Sequence, residues 1–276
     1  MVSNTKARII SALVMAAIVV VAVIFGKWTT LAVILAAALL CIDELLVNFS
    51  QTRREEFNYK YVMGFFIILF VSVNVLGAKL SLGFFTVAAI FLNLFLIYYL
   101  FKIPSSGEFM KNSSRKNPAI ITTFVMLPLL SIGIYFDSEY WREILGMLLI
   151  VTYSMDTGAW FVGKNFGKHK LWPAVSPKKT VEGLIGGMMI AAVLASLAWW
   201  QFFGDFRWYY SAIFAVCGAM SQVGDLVQSK MKREFAIKDS SNLIPGHGGV
   251  YDRIDSLIFL SPFFVIVVKY LGQHLL

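Results

Sequence analysis

Charge is what this sequence has least of. Only 14% of its 276 residues are Asp, Glu, Lys or Arg, against about 25% in an ordinary soluble domain. Cysteine is nearly absent, and Cys41 and Cys217 both lie inside apolar runs, so no disulfide framework is expected. Histidine is as scarce, with three in all. No second His or Cys stands near His247, which argues against a zinc site. The chain has no Walker loop, no dinucleotide fingerprint and no catalytic Ser or Cys arrangement. It has no internal repeat, no low-complexity tract and no soluble domain. A basic amphipathic segment is also missing, so nucleic acid is not an expected partner. Nor do short alternating segments of the β-barrel kind occur.

What fills the sequence is apolar: 58% of residues are hydrophobic and the mean hydropathy is +0.73. Runs at 8–25, 28–48, 61–77, 82–101, 118–136, 141–163, 183–203, 208–228 and 255–275 approach or exceed the roughly 18–20 residues that cross a bilayer as a helix. The expected fold is an all-α, polytopic integral membrane protein of about nine transmembrane helices. The first run follows Lys6 and Arg8 as a signal peptide would. Its apolar core is long for one and no small-residue cleavage site follows, so it reads as the first span.

With nine spans, the connections separate sharply by basic residues. Only Lys27, Lys79, Arg142, Arg207 and Lys269 of the 24 Lys and Arg fall on one side. The rest crowd the other, which predicts a cytoplasmic N-terminus. The net charge of +8 suits anionic headgroups or phosphorylated substrates. Residues 102–117 read as a plain polar connector. The expected organisation is one membrane domain over 1–276. Residues 1–140 would serve lipid-facing packing or oligomerisation, and residues 141–276 would hold the chemistry.

Acidic side chains inside membrane helices are costly and mark function by default. Asp156 stands about eight residues before the cytoplasmic end of its run, or roughly 12 Å. Asp225, Asp252 and Asp255 lie toward the same face. Asp43 and Glu44 do too, and read equally well as helix-end acids in headgroup water. Asp225, Ser229, Lys232 and Arg233 fall at i, i+4, i+7 and i+8, one helical face. In "IPGHGGVYDRIDS", Pro245 and Gly246 make a turn, while Gly248 and Gly249 free the backbone for close approach. Successive N–H groups there form a potential anion nest. His247 suits phosphate donation, metal ligation or turn capping. In "VSPKKTVEGLIGG", Ser176 or Thr180 is placed to cap the next helix, and Lys178 and Lys179 sit at its positive end. Gly183 and Gly187 suit close helix packing. Carboxylates with lysines, arginines and glycine turns point to phosphate chemistry assisted by a hard cation such as Mg²⁺.

The segment "SKMKREFAIKDSSNLIPGHGGVYDRID", Ser229 to Asp255, resembles the signature of the phosphatidate cytidylyltransferase (CDP-diacylglycerol synthase) family. A second family hallmark, SPKKT-x-EG, stands at Ser176 to Gly183. A third matches "DTGAWFVGKNFGKHKL" from Asp156, with Trp160 and Val181 as mild departures. The resemblance implies transfer of CMP from CTP to phosphatidate, giving CDP-diacylglycerol and pyrophosphate, with Mg²⁺ and with or without a second cation. Carried over by position, Asp225 and Asp252 are implied as metal ligands, with Asp156 and Asp255 in support and Lys232 beside them in catalysis. Ser176, Lys178, Lys179, Thr180, Ser229, Arg233, Lys238, His247, Gly248, Gly249 and Arg253 are implied in substrate binding. A phosphate monoester has a second pKa of about 6, so the lipid nucleophile is already ionised and needs no general base. The implied partners are CTP, phosphatidate and membrane lipid, and a homo-oligomer is compatible. The implied location is the inner (cytoplasmic) membrane, multi-pass, with the active site facing the cytoplasm. Two rivals use similar residues: a CTP-dependent polyprenol- or phytol-type lipid kinase, and a transporter of an anionic metabolite.

Overall fold

A computed structural model of the chain describes residues 2–77, 82–272 and 275. Lys79 and residues 273–274 of the ninth predicted run lie outside them. The helices are α1 (Val2–Phe25), α2 (Lys27–Glu44, prolonged by a π turn to Phe49), α3 (Phe57–Asn74), α4 (Leu82–Lys102), α5 (Phe109–Lys116), α6 (Ala119–Ser131), α7 (Trp141–Phe166), α8 (Val181–Phe203), α9 (Trp208–Glu234) and α10 (Tyr251–Leu271). Among the described residues, nine stretches are long and apolar enough to cross a bilayer. They coincide with the nine runs read from hydropathy, and the protein is an all-α polytopic membrane protein. Helices dominate because backbone N–H and C=O groups must be satisfied within the segment where no water reaches them.

Two connections differ from expectation. Residues 102–117 are not a plain connector, because α5 forms there. The backbone N–H of Met110 in its first turn donates to both oxygens of the buried Glu234 at 3.3 Å, which supplies the cap the segment itself lacks. The connection before α8 holds an antiparallel hairpin of β1 (Lys170–Trp172) and β2 (Ser176–Thr180).

The chain divides into two compact units. The first contains Met1–Leu92, Ile103–Gly133 and Met231–Ile254, hence α1–α3, α5, α6 and the connection from α9 to α10. Its core is built on α2, with Ile42, Leu45 and Leu46 fully buried. The second contains Asn93–Lys102, Ile134–Lys230 and Asp255–Leu276. There α7 and α8 lie close against each other at their glycines. A Cβ on Gly183 would stand 2.7 Å from the Ala159 carbonyl, and one on Gly187 would stand 2.8 Å from the Met155 carbonyl. These two glycines set the helix spacing, as small residues four apart do in membrane helices.

Lys230, counted among the basic residues of the crowded face, is 2% exposed. Its Nζ donates to the Tyr99 and Leu100 carbonyls at 2.6 and 2.9 Å, capping the C-terminal end of α4, where a cation is favoured.

Candidate active site

The predicted site residues fall into two groups, one in each unit. In the second unit, a cavity of about 420 Å³ is lined by Asp156 and Lys164 of α7, Lys178 and Lys179 of β2, and Gln222 and Asp225 of α9, among others. The hairpin delivers the lysines. Thr180 ends β2 and accepts a hydrogen bond from Gly183 N at 3.1 Å, so it is the N-cap of α8. Ser176 begins the strand and pairs with Trp172 instead. Glu182, in the first turn of α8, accepts from the backbone N–H groups of Lys168 and His169, which ties the hairpin to the helix. Lys179 Nζ reaches Asp225 Oδ2 at 2.5 Å, and Ser229 Oγ donates to Asp225 Oδ1 at 3.2 Å. The Asp225 stripe and the Lys178–Lys179 element, far apart in sequence, are therefore joined.

Gln222, three residues before Asp225 on α9, is not among the residues expected in the site. It is 4% exposed, lines this cavity, and among the described residues its Nε2 has no hydrogen-bond partner. A buried amide without a partner costs about 1–3 kcal/mol, so that donor is set for something the cavity receives.

In the first unit, the connection between α9 and α10 is organised around two carboxylates. Asp252 Oδ2 accepts from Ser240 N at 2.8 Å, Ser240 Oγ at 3.0 Å and Gly249 N at 3.0 Å. Its Oδ1 accepts from Lys232 Nζ at 2.8 Å. Glu44, at the end of α2, is 2% exposed. It accepts from Ser240 Oγ, Ser241 Oγ and Val250 N at 2.8 Å and from Tyr251 N at 3.0 Å. The anion nest read from the glycine turn is thus real, and the anions in it are the chain's own: Asp252 on Gly249, and Glu44 at the start of α10, where the helix dipole favours negative charge. The turn itself needs Gly246 and Gly248, with φ of +75° and +87°. Close approach requires Gly249, whose Cβ would lie 2.5 Å from Glu44 Oε2. Glu44 is not a helix-end acid in headgroup water; its neighbour Asp43 is nearer that description, paired with Arg54 and Tyr59. No local signal distinguishes the two acids, because every partner of Glu44 lies roughly 200 residues away in sequence.

The remaining predicted residues are placed as follows. Arg233 donates to the Ile237 carbonyl at 3.4 Å. Lys238, His247, Gly248 and Arg253 line a second cavity, of about 520 Å³. Asp255 Oδ1, in the second unit, accepts from Ser256 N at 2.8 Å. Burial first, and then the neighbouring Arg253 and Arg8 cations, hold the His247 imidazole below the usual histidine range, so it is neutral at pH 7.

A divalent cation fits the second unit's cavity by donor chemistry. Among the described residues no three His, Cys, Asp or Glu side chains form a cage. Mg²⁺ commonly takes only one or two carboxylates and completes its shell with water and substrate phosphates. Asp156 and Asp225, which line the same cavity, supply that number of carboxylates with hard oxygen donors. Asp252 fits less well as it stands, because its side chain is 3% exposed and one of its oxygens accepts from three protein donors besides the Lys232 bond to the other.

The fold and this cavity define an all-α polytopic membrane protein with carboxylates and lysines lining one cavity, and the family is narrower. A model of the cytidylyltransferase family matches residues 6–271, so the chain belongs to that family. It is 41% identical over 151 residues to phosphatidate cytidylyltransferase of Bacillus subtilis (strain 168), covering 51% of this chain and 55% of that protein. With the Staphylococcus aureus (strain COL) phosphatidate cytidylyltransferase it shares 41% identity over 145 residues, 50% of this chain and 54% of the relative. The protein of the same name from Staphylococcus haemolyticus (strain JCSC1435) is 42% identical over 122 residues, 43% and 46% of the two chains. The chain spans about half the length of the curated relatives it matches.

Proposed function

We propose that this protein transfers CMP from CTP to phosphatidate, releasing pyrophosphate and forming CDP-diacylglycerol, with Mg²⁺. The observation that carries the reading is that Asp156, Asp225, Lys178 and Lys179 line one cavity of about 420 Å³, large enough for a nucleotide's phosphates. Asp156 and Asp225 would hold the cation, which when bound neutralises triphosphate charge and polarises the phosphoryl oxygens. Lys178 and Lys179 bind the triphosphate. Lys179 now contacts Asp225, and exchanges that carboxylate for a phosphate oxygen as substrate enters. Asp252, held by Lys232, Ser240 and Gly249, keeps the glycine turn in shape. Thr180 and Gly183 keep the lysine strand in register with α8.

The phosphatidate oxygen attacks the α-phosphorus. The new P–O bond forms as the bond to the β-phosphate bridging oxygen breaks, and that oxygen departs with its electron pair on pyrophosphate. No side chain has to take a proton, since the attacking phosphate is ionised at neutral pH. Residues 141–276 carry most of these groups. Residues 1–140 serve packing in lipid and, through Glu44, brace the glycine turn.

The crowding of Lys and Arg on alternate connections supports a cytoplasmic N-terminus, a cytoplasmic site and insertion in the cytoplasmic membrane. Purified protein with phosphatidate, labelled CTP and Mg²⁺ tests the reading. CMP-bearing lipid with one pyrophosphate per turnover supports it. Phosphorylated lipid with CDP would move the protein to the lipid kinases, and uptake into sealed vesicles without chemical change would make it a carrier.

A further inference from the structure

The first helix reaches the glycine turn, which sequence alone gave no reason to expect. Arg8 Nε donates to the Gly246 carbonyl at 2.9 Å. One turn on, Ser11 Oγ donates to the Pro245 carbonyl at 3.2 Å and lies 2.6 Å from His247 Nδ1. Arg8, though exposed, is therefore tied to the turn, where a lone arginine near a helix end would extend freely into headgroup water. The cavity of about 520 Å³ beneath it is lined by Arg8, Lys238 and Arg253, with Asp239 as the carboxylate on its wall. Among the described residues, the side chains of Lys238 and Arg253 have no hydrogen-bond or ion-pair partner, and the Arg8 guanidinium has none beyond the Gly246 carbonyl. Three cations facing one carboxylate favour a bound anion.

The helix that carries Arg8 says where that anion comes from. The span Lys6–Phe25 is only 6% buried, the least of the nine described spans. Its apolar side chains Ile9, Ile10 and Leu13 are 56%, 61% and 65% exposed, within two turns of Arg8. Such a surface belongs in hydrocarbon, which sets Arg8 at headgroup depth.

Resting on the activity proposed above, we propose that Arg8, Lys238 and Arg253 form the binding site for the phosphate monoester of the lipid substrate, with the first helix supplying the arginine that admits a membrane-borne rather than a soluble phosphate. A guanidinium gives the planar pair of donors that suits a phosphate dianion.

The test uses Arg8→Gln and Lys238→Gln in the full-length detergent-solubilised protein. Among the described residues the exposed Lys238 side chain makes no hydrogen bond or ion pair, so its variant guards against an Arg8 variant that merely unfolds. The KM for phosphatidate in mixed micelles is expected to rise about tenfold in each, the value of one charge-assisted hydrogen bond. The KM for CTP should stay within about twofold. Unchanged phosphatidate KM in both variants, or a matching rise in KM for CTP, would overturn the assignment. A second arm needs no turnover: retention of the protein on vesicles containing phosphatidate against vesicles of phosphatidylcholine alone, with glycerol 3-phosphate as soluble competitor. Selective retention lost in both variants and resisted by millimolar competitor supports the lipid site even if no CMP transfer is found. Equal retention on both vesicle types, or full displacement by the competitor, would refute it.

Discussion

Two aspartate–lysine pairs of the same chemistry sit in very different surroundings. Asp225 meets Lys179 in the second unit, with side chains 31% and 18% exposed, on the wall of a cavity. Asp252 meets Lys232 in the first unit, where the aspartate side chain is 3% exposed and backbone and serine donors fill its other oxygen. A half-buried pair lining a cavity costs less to break than a fully buried one, because water in the cavity takes the partner's place. A buried, fully bonded carboxylate holds its surroundings together, and removing its charge leaves several donors without an acceptor. The first pair is arranged to exchange partners, the second to hold the glycine turn in shape.

The largest effect that sharpens this contrast is on turnover. Asp225→Asn should lower Mg²⁺-dependent CMP transfer by about 10²–10³-fold, from the several kcal/mol a bound cation supplies. Steady-state assays across Mg²⁺ concentrations check it, and wild-type turnover would remove Asp225 from the cation site.

Next comes Glu44→Gln. The amide keeps the shape but presents an N–H₂ to donors that need an acceptor, so stability should fall by about 2–3 kcal/mol. Thermal unfolding in detergent reads this directly. Because Glu44 acts through the turn, kcat should fall while KM for CTP stays near wild type, and Glu44→Asp should restore little, being too short to span the same donors.

Gln222→Leu reverses the usual expectation for a buried polar residue. Among the described residues its Nε2 has no partner to lose, so stability should be unchanged or slightly raised, while CTP affinity falls about three- to tenfold. A clear loss of stability with unaltered CTP binding would assign Gln222 to packing.

The smallest effect is on pH. The His247 imidazole is held below its ordinary value in the folded protein, so the unfolded chain binds that proton more readily. Stability is therefore full above the ordinary histidine pKa of about 6.5 and declines as pH falls through that value. Unfolding temperatures at about pH 5.5 and 7.5 should differ less in His247→Gln than in the wild type.

How much of this was legible beforehand follows from the range of each signal. Hydropathy is local, so all nine spans were readable, as was the pairing of glycines 183 and 187. The Ser229–Asp255 and Ser176–Gly183 patterns carried the family because their fixed residues are close in sequence. Glu44 and Arg8 were not legible as site residues. Each sits at a helix end where a charged residue is ordinary, and each is given its role by a turn more than 190 residues downstream. Lys230 was misleading for a related reason: it sits in a basic run, yet its ammonium caps carbonyls of α4. The same limit hid α5, whose cap comes from Glu234 and not from its own flank.

The most direct test sets Asp225→Asn and Asp252→Asn side by side for thermal unfolding in detergent, without nucleotide or added metal. The prediction is that Asp225→Asn unfolds close to the wild type while Asp252→Asn is destabilised by about 3 kcal/mol, in the range for breaking a buried, hydrogen-bonded charge pair. Equal destabilisation of the two variants, or an unaffected Asp252→Asn, would contradict the division between an exchanging pair and a holding pair.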